Sequence, residues 1–225
     1  MIHGQNHKGS TYHLGHIFTD NIPDAQIEEF FLPRDLEHFC LGCYNCVEDE
    51  SKCPYYEEKR RIMEKVEEAD LLVFTTPTYC SHASAGMKTF IDLTFTYFMI
   101  HKPRKAMFSK KAVVFSTASG AGTKSAMKDI TNALFYWGVP YIKTYGRSIA
   151  AMNWEGVKPQ TKAKMEADIK KLANKVSRAK VRVGLKTKGL FMLMRMLQRK
   201  DMAAGEKERA YWNDQGWLGK ERPWK

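Results

Sequence analysis

Cysteine is scarce outside one short segment, and no apolar run is long. A membrane-crossing helix needs about 20 consecutive apolar residues, and the best stretch, Leu190–Leu197, is far too short. The opening ten residues, M-I-H-G-Q-N-H-K-G-S, contain no apolar signal region, so a cytoplasmic protein is expected. Thiols clustered without such a region belong in a reducing compartment, which argues against a disulfide framework. No internal repeat or low-complexity stretch occurs. Acidic residues run short in one place only. Residues 1–155 carry 17 Lys+Arg against 18 Asp+Glu, whereas residues 156–225 carry 19 against 7. That basic final third can attract nucleic acid, anionic lipid, an acidic protein or a phosphorylated cofactor. A solvated lysine-rich helix face explains it equally well. No nucleic-acid partner is expected, no transmembrane segment, and at most weak contact with a membrane surface.

Apolar residues make up 44% of the chain, ample for a core. Gln26–Leu32 reads as a partly exposed strand. Asp70–Thr75 and Lys111–Thr117 are continuous apolar runs of the kind buried on both faces of a parallel sheet. Val139–Tyr145 forms a weaker strand. Helical spacing places helices at Glu57–Ala69, Gly86–His101 and Thr123–Trp137, the last stopped by Gly138 and Pro140. This alternation means βαβ units and a parallel sheet, which binds ligands beyond the carboxyl ends of its strands. Further on, Met165, Ile169, Leu172, Val176, Ala179 and Val183 form one apolar stripe on a long basic helix. The chain ends with Tyr211, Trp212, Trp217 and Trp224, exposed unless something covers them. Such a tail is expected to clasp a second copy as a dimer arm, with packing on its own domain or attachment to a membrane surface as alternatives.

Four of the five cysteines, Cys40, Cys43, Cys46 and Cys53, fall within fourteen residues. Successive i, i+3 thiolates converge when the backbone turns tightly, and Gly42 permits such a turn. Soft thiolates select zinc, cuprous copper or iron–sulfur clusters. The C-x2-C-x2-C run followed by Cys53-Pro54 is similar to the ligand runs of bacterial ferredoxins, whereas zinc more often joins two separated C-x2-C knuckles. An iron–sulfur cluster is the leading expectation; zinc and unligated, redox-active thiols remain open. Cys80 reads as a small apolar side chain rather than a participant. The histidines His3, His7, His13 and His16 read as loop and surface residues, with metal binding as the alternative.

Three polar loops follow the strands: Gly4–Thr11, residues 75–82 (T-T-P-T-Y-C-S-H) and residues 116–123 (S-T-A-S-G-A-G-T). The first, leading into a helix, has the donors to hold a phosphate, although an ordinary capped turn is the readier account of this loop taken alone. Gly4–Thr11 matches loosely the G-S-P-R-x-x-G-N-T opening of the flavodoxin-like NAD(P)H-dependent FMN reductases. The four cysteines match the C-x2-C-x2-C-x(n)-C run of their iron–sulfur flavoprotein branch. Glu68, Ala69, Asp70, Pro77 and Tyr79 match its strand-three segment. Residues Gly86 to Asp92 match a G-x-x-K-x-F-x-D helix with one residue fewer in the gap. Over residues 3–146 the chain therefore resembles that family. It departs in having His7 for arginine, Ser10 for asparagine and Leu93 for a frequent arginine. Its first strand is also shortened, with only Met1, Ile2 and His3 ahead of Gly4, and the expected true start lies upstream.

The resemblance implies an α/β, flavodoxin-like doubly wound sheet of order 2-1-3-4-5 with strand one truncated. It implies an FMN-binding domain over residues 1–183 with a cysteine-rich insert at 40–54, and a basic arm at 184–225. Lys8, Gly9, Ser10 and Thr11 would hold the FMN phosphate. Pro77, Thr78 and Tyr79, with Thr117, Ala118, Ser119, Gly120 and Gly122, would line the isoalloxazine ring. Cys40, Cys43, Cys46 and Cys53 would ligate a [4Fe–4S] cluster. NAD(P)H would donate electrons transiently, and a small molecule or redox protein would accept them from a homodimer. Hydride transfer needs positioning more than acid–base groups, so no catalytic acid or base is named. The alternatives are a cluster-free NAD(P)H:acceptor flavin reductase and a non-enzymatic, zinc-stapled interaction module of the same fold.

Overall fold

The computed structural model describes residues 1–202 and 205–225. Five parallel strands form one sheet in the order β2-β1-β3-β4-β5: β1 Ile2–His3, β2 Phe30–Phe31, β3 Leu71–Pro77, β4 Lys111–Ala118 and β5 Tyr141–Ser148. The two apolar runs become β3 and β4, paired from Leu71↔Lys111 to Pro77↔Thr117. Their side chains alternate between two cores, as a strand's period of two requires. Leu72, Phe74, Ala112 and Val114 face one core with residues of α3 (Tyr56–Glu68), α4 (Ala85–Leu93) and α5 (Thr123–Trp137). Val73, Val113 and Phe115 face the other, with Leu14 and Phe18 of α1 (Ser10–Thr19) and Met165, Ile169, Ala173 and Val176 of α6 (Pro159–Arg178). Helices on both faces of a parallel sheet make the doubly wound architecture.

The strand expected over Gln26–Leu32 shrinks to Phe30–Phe31 because its neighbour β1 offers only two residues to pair. Ile27 is left exposed. On the other side, β1 meets β3 only at Phe74 and Thr75, so Leu71–Val73 lack a strand partner there. A cavity of about 540 Å³ lies alongside, lined by Ile22, Ile27, Phe30, Val66 and Leu71 to Phe74. Beside it the Met1 ammonium donates to the Glu28 carbonyl, and burial pushes its pKa down to about 6.

Two helices end earlier than their apolar spacing implies. The one expected to reach His101 stops at Leu93, where the Thr94 hydroxyl donates to the Phe90 carbonyl (2.7 Å) and a 3₁₀ turn follows at Phe95–Tyr97. A threonine hydroxyl competing for last-turn carbonyls ends helices in this way. The long basic helix stops at Arg178, before Ala179 and Val183, as the chain enters a β-branched stretch. Leu190–Leu197 falls inside α7 (Leu185–Arg199), which precedes α8 (Glu206–Asp214). Among the described residues no helix is long and apolar enough to cross a membrane.

The tail aromatics are covered by the chain itself. Trp212 and Trp217 are buried with Met99, Phe108 and Phe191 in a third cluster. The Trp212 indole donates to the His101 carbonyl (2.8 Å), the Tyr211 hydroxyl to that of Pro103 (2.6 Å) and the Gln198 amide to that of Ile100 (2.7 Å). The expected exposed aromatic surface is therefore absent from these rings. What stays exposed is Leu185, Met192, Leu193 and Met196 on α7. The arm as delimited at 184–225 includes Ala203 and Ala204, which lie outside the described residues.

Candidate functional site

The loop from β1 to α1 is tied down at its base. Gly4 donates to the Thr75 carbonyl (2.7 Å), and the Ser84 hydroxyl donates to the carbonyl of Gly4. A side chain at Gly4 would meet Ser84 Oγ at 2.5 Å, so only glycine allows this approach. At the top, Gly9 precedes α1 with no side-chain cap, leaving the first helical amides available. Ser10 and Thr11 are buried hydroxyl donors beside them. Free amides plus hydroxyls at a helix start suit a phosphate. Gln5, missed by sequence reasoning, lies inside this loop with its amide 3.3 Å from the His7 carbonyl and 3.5 Å from the Thr11 hydroxyl. Lys8 is exposed, its ammonium 5.4 Å from the Tyr12 ring centroid.

The other two loops lie together. Pro77, Thr117 and Ala118 are buried at the ends of β3 and β4. Thr78 donates its amide to the Thr117 carbonyl (2.9 Å), and its hydroxyl is 2.9 Å from that of Ser116. Tyr79 and His82 exchange backbone hydrogen bonds across a tight turn, with Cys80 and Ser81 both at positive φ. Tyr79, Cys80, Ser119 and Gly120 are exposed at the rim. Gly122 (φ +100°) packs so closely that a Cβ would lie 2.9 Å from Thr78 Cγ2 and 3.2 Å from Ser81 Cα. Asp129 of α5 accepts from the Ala83 amide (3.2 Å), and the Ser148 hydroxyl donates to the Gly120 carbonyl. Ser84 carries a legible signal, since it accepts from Met87 N as the N-cap of α4. Asp129 and Ser148 carry none, being ordinary residues made useful by topology.

The cysteine segment forms a second concavity. Gly42 (φ +65°) turns the chain as its lack of a Cβ permits, and Tyr44 (φ 59°) continues the turn into α2 (Asn45–Glu48). Cys40, Cys43, Cys46 and Cys53 all line one cavity of about 320 Å³, together with Leu41, Tyr44, Tyr55, Leu93 and Phe95. Cys40 and Cys43 are exposed, Cys53 is half-buried and Cys46 is buried. Burial raises the Cys46 thiol pKa, which Lys59 partly opposes. No three of the sulfurs lie within 4.8 Å of one another. A single tetrahedral zinc at about 2.3 Å from each sulfur would draw them to roughly 3.8 Å. Four soft donors around one cavity suit a thiolate-bound metal centre.

Several bonds hold this segment in place. Lys102 donates to the Val47 carbonyl (2.6 Å), Thr96 to Glu50 (3.0 Å), and Arg104 pairs with Glu50 (2.7 Å). Glu58 of α3 accepts from the Glu37 amide (3.0 Å) and lies 2.6 Å from His38 Nδ1. Helix α8 rests against α2, so the C-terminal tail helps enclose the cysteine segment.

Under the first loop, His3 Nε2 and His16 Nε2 each lie 2.9 Å from Glu29 Oε1, and His3 Nδ1 lies 2.8 Å from the Thr75 hydroxyl. Burial pushes the His3 pKa down to about 4, with the Glu29 contact opposing it. His3 is therefore neutral and hydrogen-bonded rather than a surface residue. Glu29, its partner, gave no sign of this in the sequence because the pairing depends on β2 lying beside β1.

The family described as NADPH-dependent FMN reductase matches residues 1–152. An iron–sulfur flavoprotein of Archaeoglobus fulgidus is 27% identical over 116 residues, 51% of this chain and 50% of that protein. An iron–sulfur flavoprotein of Methanocaldococcus jannaschii is 38% identical over 87 residues, 38% of this chain and 45% of that protein. The match thus spans about half the length of these curated relatives. An FMN-dependent NADH-azoreductase from Bacillus anthracis, solved with FMN, shares the fold at a TM-score of 0.60 and 10% identity, covering 79% of this chain and 98% of its own. With residues 1–152 matched and the sheet in the order β2-β1-β3-β4-β5, the chain belongs to the NADPH-dependent FMN reductase family.

Proposed function

We propose that the protein is an FMN-dependent NAD(P)H oxidoreductase that exchanges electrons between bound FMN and a [4Fe–4S] cluster held by Cys40, Cys43, Cys46 and Cys53. The observation that carries this reading is the lining of one cavity by all four cysteines in a chain of the FMN reductase family. The names of the two archaeal relatives agree with it. FMN when bound supplies hydride acceptance from a nicotinamide and release of electrons singly.

The chain's own residues then have simple tasks. The amides opening α1, with Ser10 and Thr11, bind the phosphate, and the exposed Lys8 adds positive charge beside them. Pro77, Thr78 and Tyr79 support one edge of the ring. Thr117, Ala118, Ser119, Gly120 and Gly122, on the adjoining loop, would line the ring as well, with Gly120 leaving open space for close approach. Tyr79, exposed at the rim, shields the ring from water and leaves a face for the nicotinamide. The working form is a homodimer in a reducing cytoplasm, and the acceptor is a small molecule or a redox protein.

Anaerobic purification with iron, sulfide, zinc and flavin analysis tests this. The expected result is FMN with about four iron and four sulfide per chain, and bleaching of the flavin by NAD(P)H. The Cys53→Ala variant is expected to lose cluster iron while keeping FMN. Flavin without iron would establish the cluster-free reductase instead, and zinc without flavin the interaction module.

A further inference from the structure

Among the described residues three lysines are buried: Lys59, Lys102 and Lys110. Two have acceptors. Lys102 donates to the Val47 carbonyl at 2.6 Å, and Lys110 donates to the carbonyls of Glu67 (2.7 Å) and Ala69 (2.6 Å). Lys59 is only 2% exposed, and its Nζ has no hydrogen-bond partner among the described residues. No carboxylate lies within ion-pair distance of it among those residues either, although α3 carries Glu57, Glu58, Glu64, Glu67 and Glu68. Those side chains engage Arg60, His38, Lys65, Arg104 and the Tyr97 hydroxyl instead. A buried, unpaired ammonium is among the most unfavourable features a core can hold.

Its surroundings indicate what would pair with it. Lys59 starts the second turn of α3, its amide donating to the Tyr55 carbonyl (3.2 Å), with Cys53 and Tyr55 just ahead. Cys46 is the most buried of the four cysteines, and Tyr55, whose carbonyl accepts from Lys59, lines the same cavity as all four. Cys53 also packs on the core that holds α3. A thiolate-ligated iron–sulfur centre carries net negative charge and gains one more on reduction; nearby charge and burial set its potential.

We propose that Lys59 is the buried counter-charge of the cysteine-ligated centre, and that it raises the reduction potential of that centre by favouring the more negative, reduced state. This rests on the cluster reading above. The electron enters the centre from the flavin, NAD(P)H being its source, and Lys59 takes no part in the transfer. It is a positioning residue for charge rather than a group that reacts. Burial strengthens its effect because little water lies between the charges to screen them.

The test compares wild type, Lys59→Met and Lys59→Arg. Each is purified anaerobically and assayed for iron and sulfide, then titrated redox-potentiometrically with electron paramagnetic resonance as the readout. Wild-type iron content decides the cluster reading first. A wild type that holds no iron after reconstitution overturns that reading and this proposal with it. Given iron in wild type, Lys59→Met is expected to shift the potential to more negative values, and Lys59→Arg to stay close to wild type.

Thermal melts of the metal-free proteins supply a second readout that does not depend on loading. An unpaired buried cation destabilises the apo fold, so Lys59→Met is expected to melt higher than wild type without metal and to gain less on reconstitution. An unchanged potential at equal iron content overturns the assignment. So does a Lys59→Met protein that melts lower than wild type in the absence of metal, since that outcome identifies an ordinary structural role.

Discussion

At the scale of single residues, this protein uses burial to decide charge. His3 is fully buried against Glu29 and Thr75, and its pKa is pushed from 6.5 down to about 4. The unfolded chain therefore binds a proton at His3 before the folded chain does. Between pH 6.5 and 4 the unfolded state holds more protons, so His3 contributes a loss of stability as pH falls through that window and none above it. Melting temperature is expected to drop steadily from pH 6.5 to pH 4.5, and a His3→Gln variant to show a shallower drop. An identical pH slope in that variant would remove His3 as the cause. Lys59 presents a different case: its Nζ is buried with no hydrogen-bond partner among the described residues. The sequence names both residues but does not rank them, because a histidine near a terminus and a lysine in a charged helix are ordinarily solvated.

At the scale of elements, the strands determine where the loops go and the loops depend on a few tight contacts. Gly122 is the clearest example. It sits at φ +100° as the residue before α5, and any Cβ there meets Thr78 and Ser81 of the neighbouring loop. Gly122→Ala combines left-handed strain of about 1–2 kcal/mol with that clash. Denaturant unfolding is expected to show at least that loss, and equilibrium dialysis a lower FMN occupancy; retention of both would show that the loops are not held to each other at this point. The S-T-A-S-G-A-G-T run announces a loop, and its two glycines announce unusual backbone. That one of them is the contact point between two loops follows only from β3 and β4 being neighbours in register. Helix α4 offers the reverse lesson. Apolar spacing continues to Phe98, yet Thr94 closes the helix by bonding Phe90.

At the scale of the whole molecule, the C-terminal tail packs beside the cysteine segment. The tail is held by Trp212, buried against Phe191 and Trp217 with its indole bonded to His101. Trp212→Ala is expected to destabilise the protein by about 3–5 kcal/mol, read from chemical denaturation. Limited proteolysis should then cut the chain within 184–225 while leaving the sheet domain intact. A variant as stable and as resistant as wild type would mean that the tail contributes little to the fold. Because α8 rests on α2, the same change is expected to loosen the cysteine segment.

The amino-acid sequence by itself determined the alternation of strand and helix, the burial of β3 and β4, and the grouping of four thiols, because periodicity and ligand spacing are local properties. It also carried the resemblance to the FMN reductases, since loop residues after each strand sit in a fixed order along the chain. The length of β2, the partners of Glu29, the covering of the tail tryptophans and the isolation of Lys59 were decided by tertiary structure alone. Each depends on what a distant segment places beside the residue. A strand is as long as its neighbour allows, and an aromatic ring is exposed or buried according to what folds over it. A lysine, too, is free or stranded depending on which carbonyls and carboxylates come within reach. The charge beside the thiols therefore became visible only when α3 was packed against the cysteine segment.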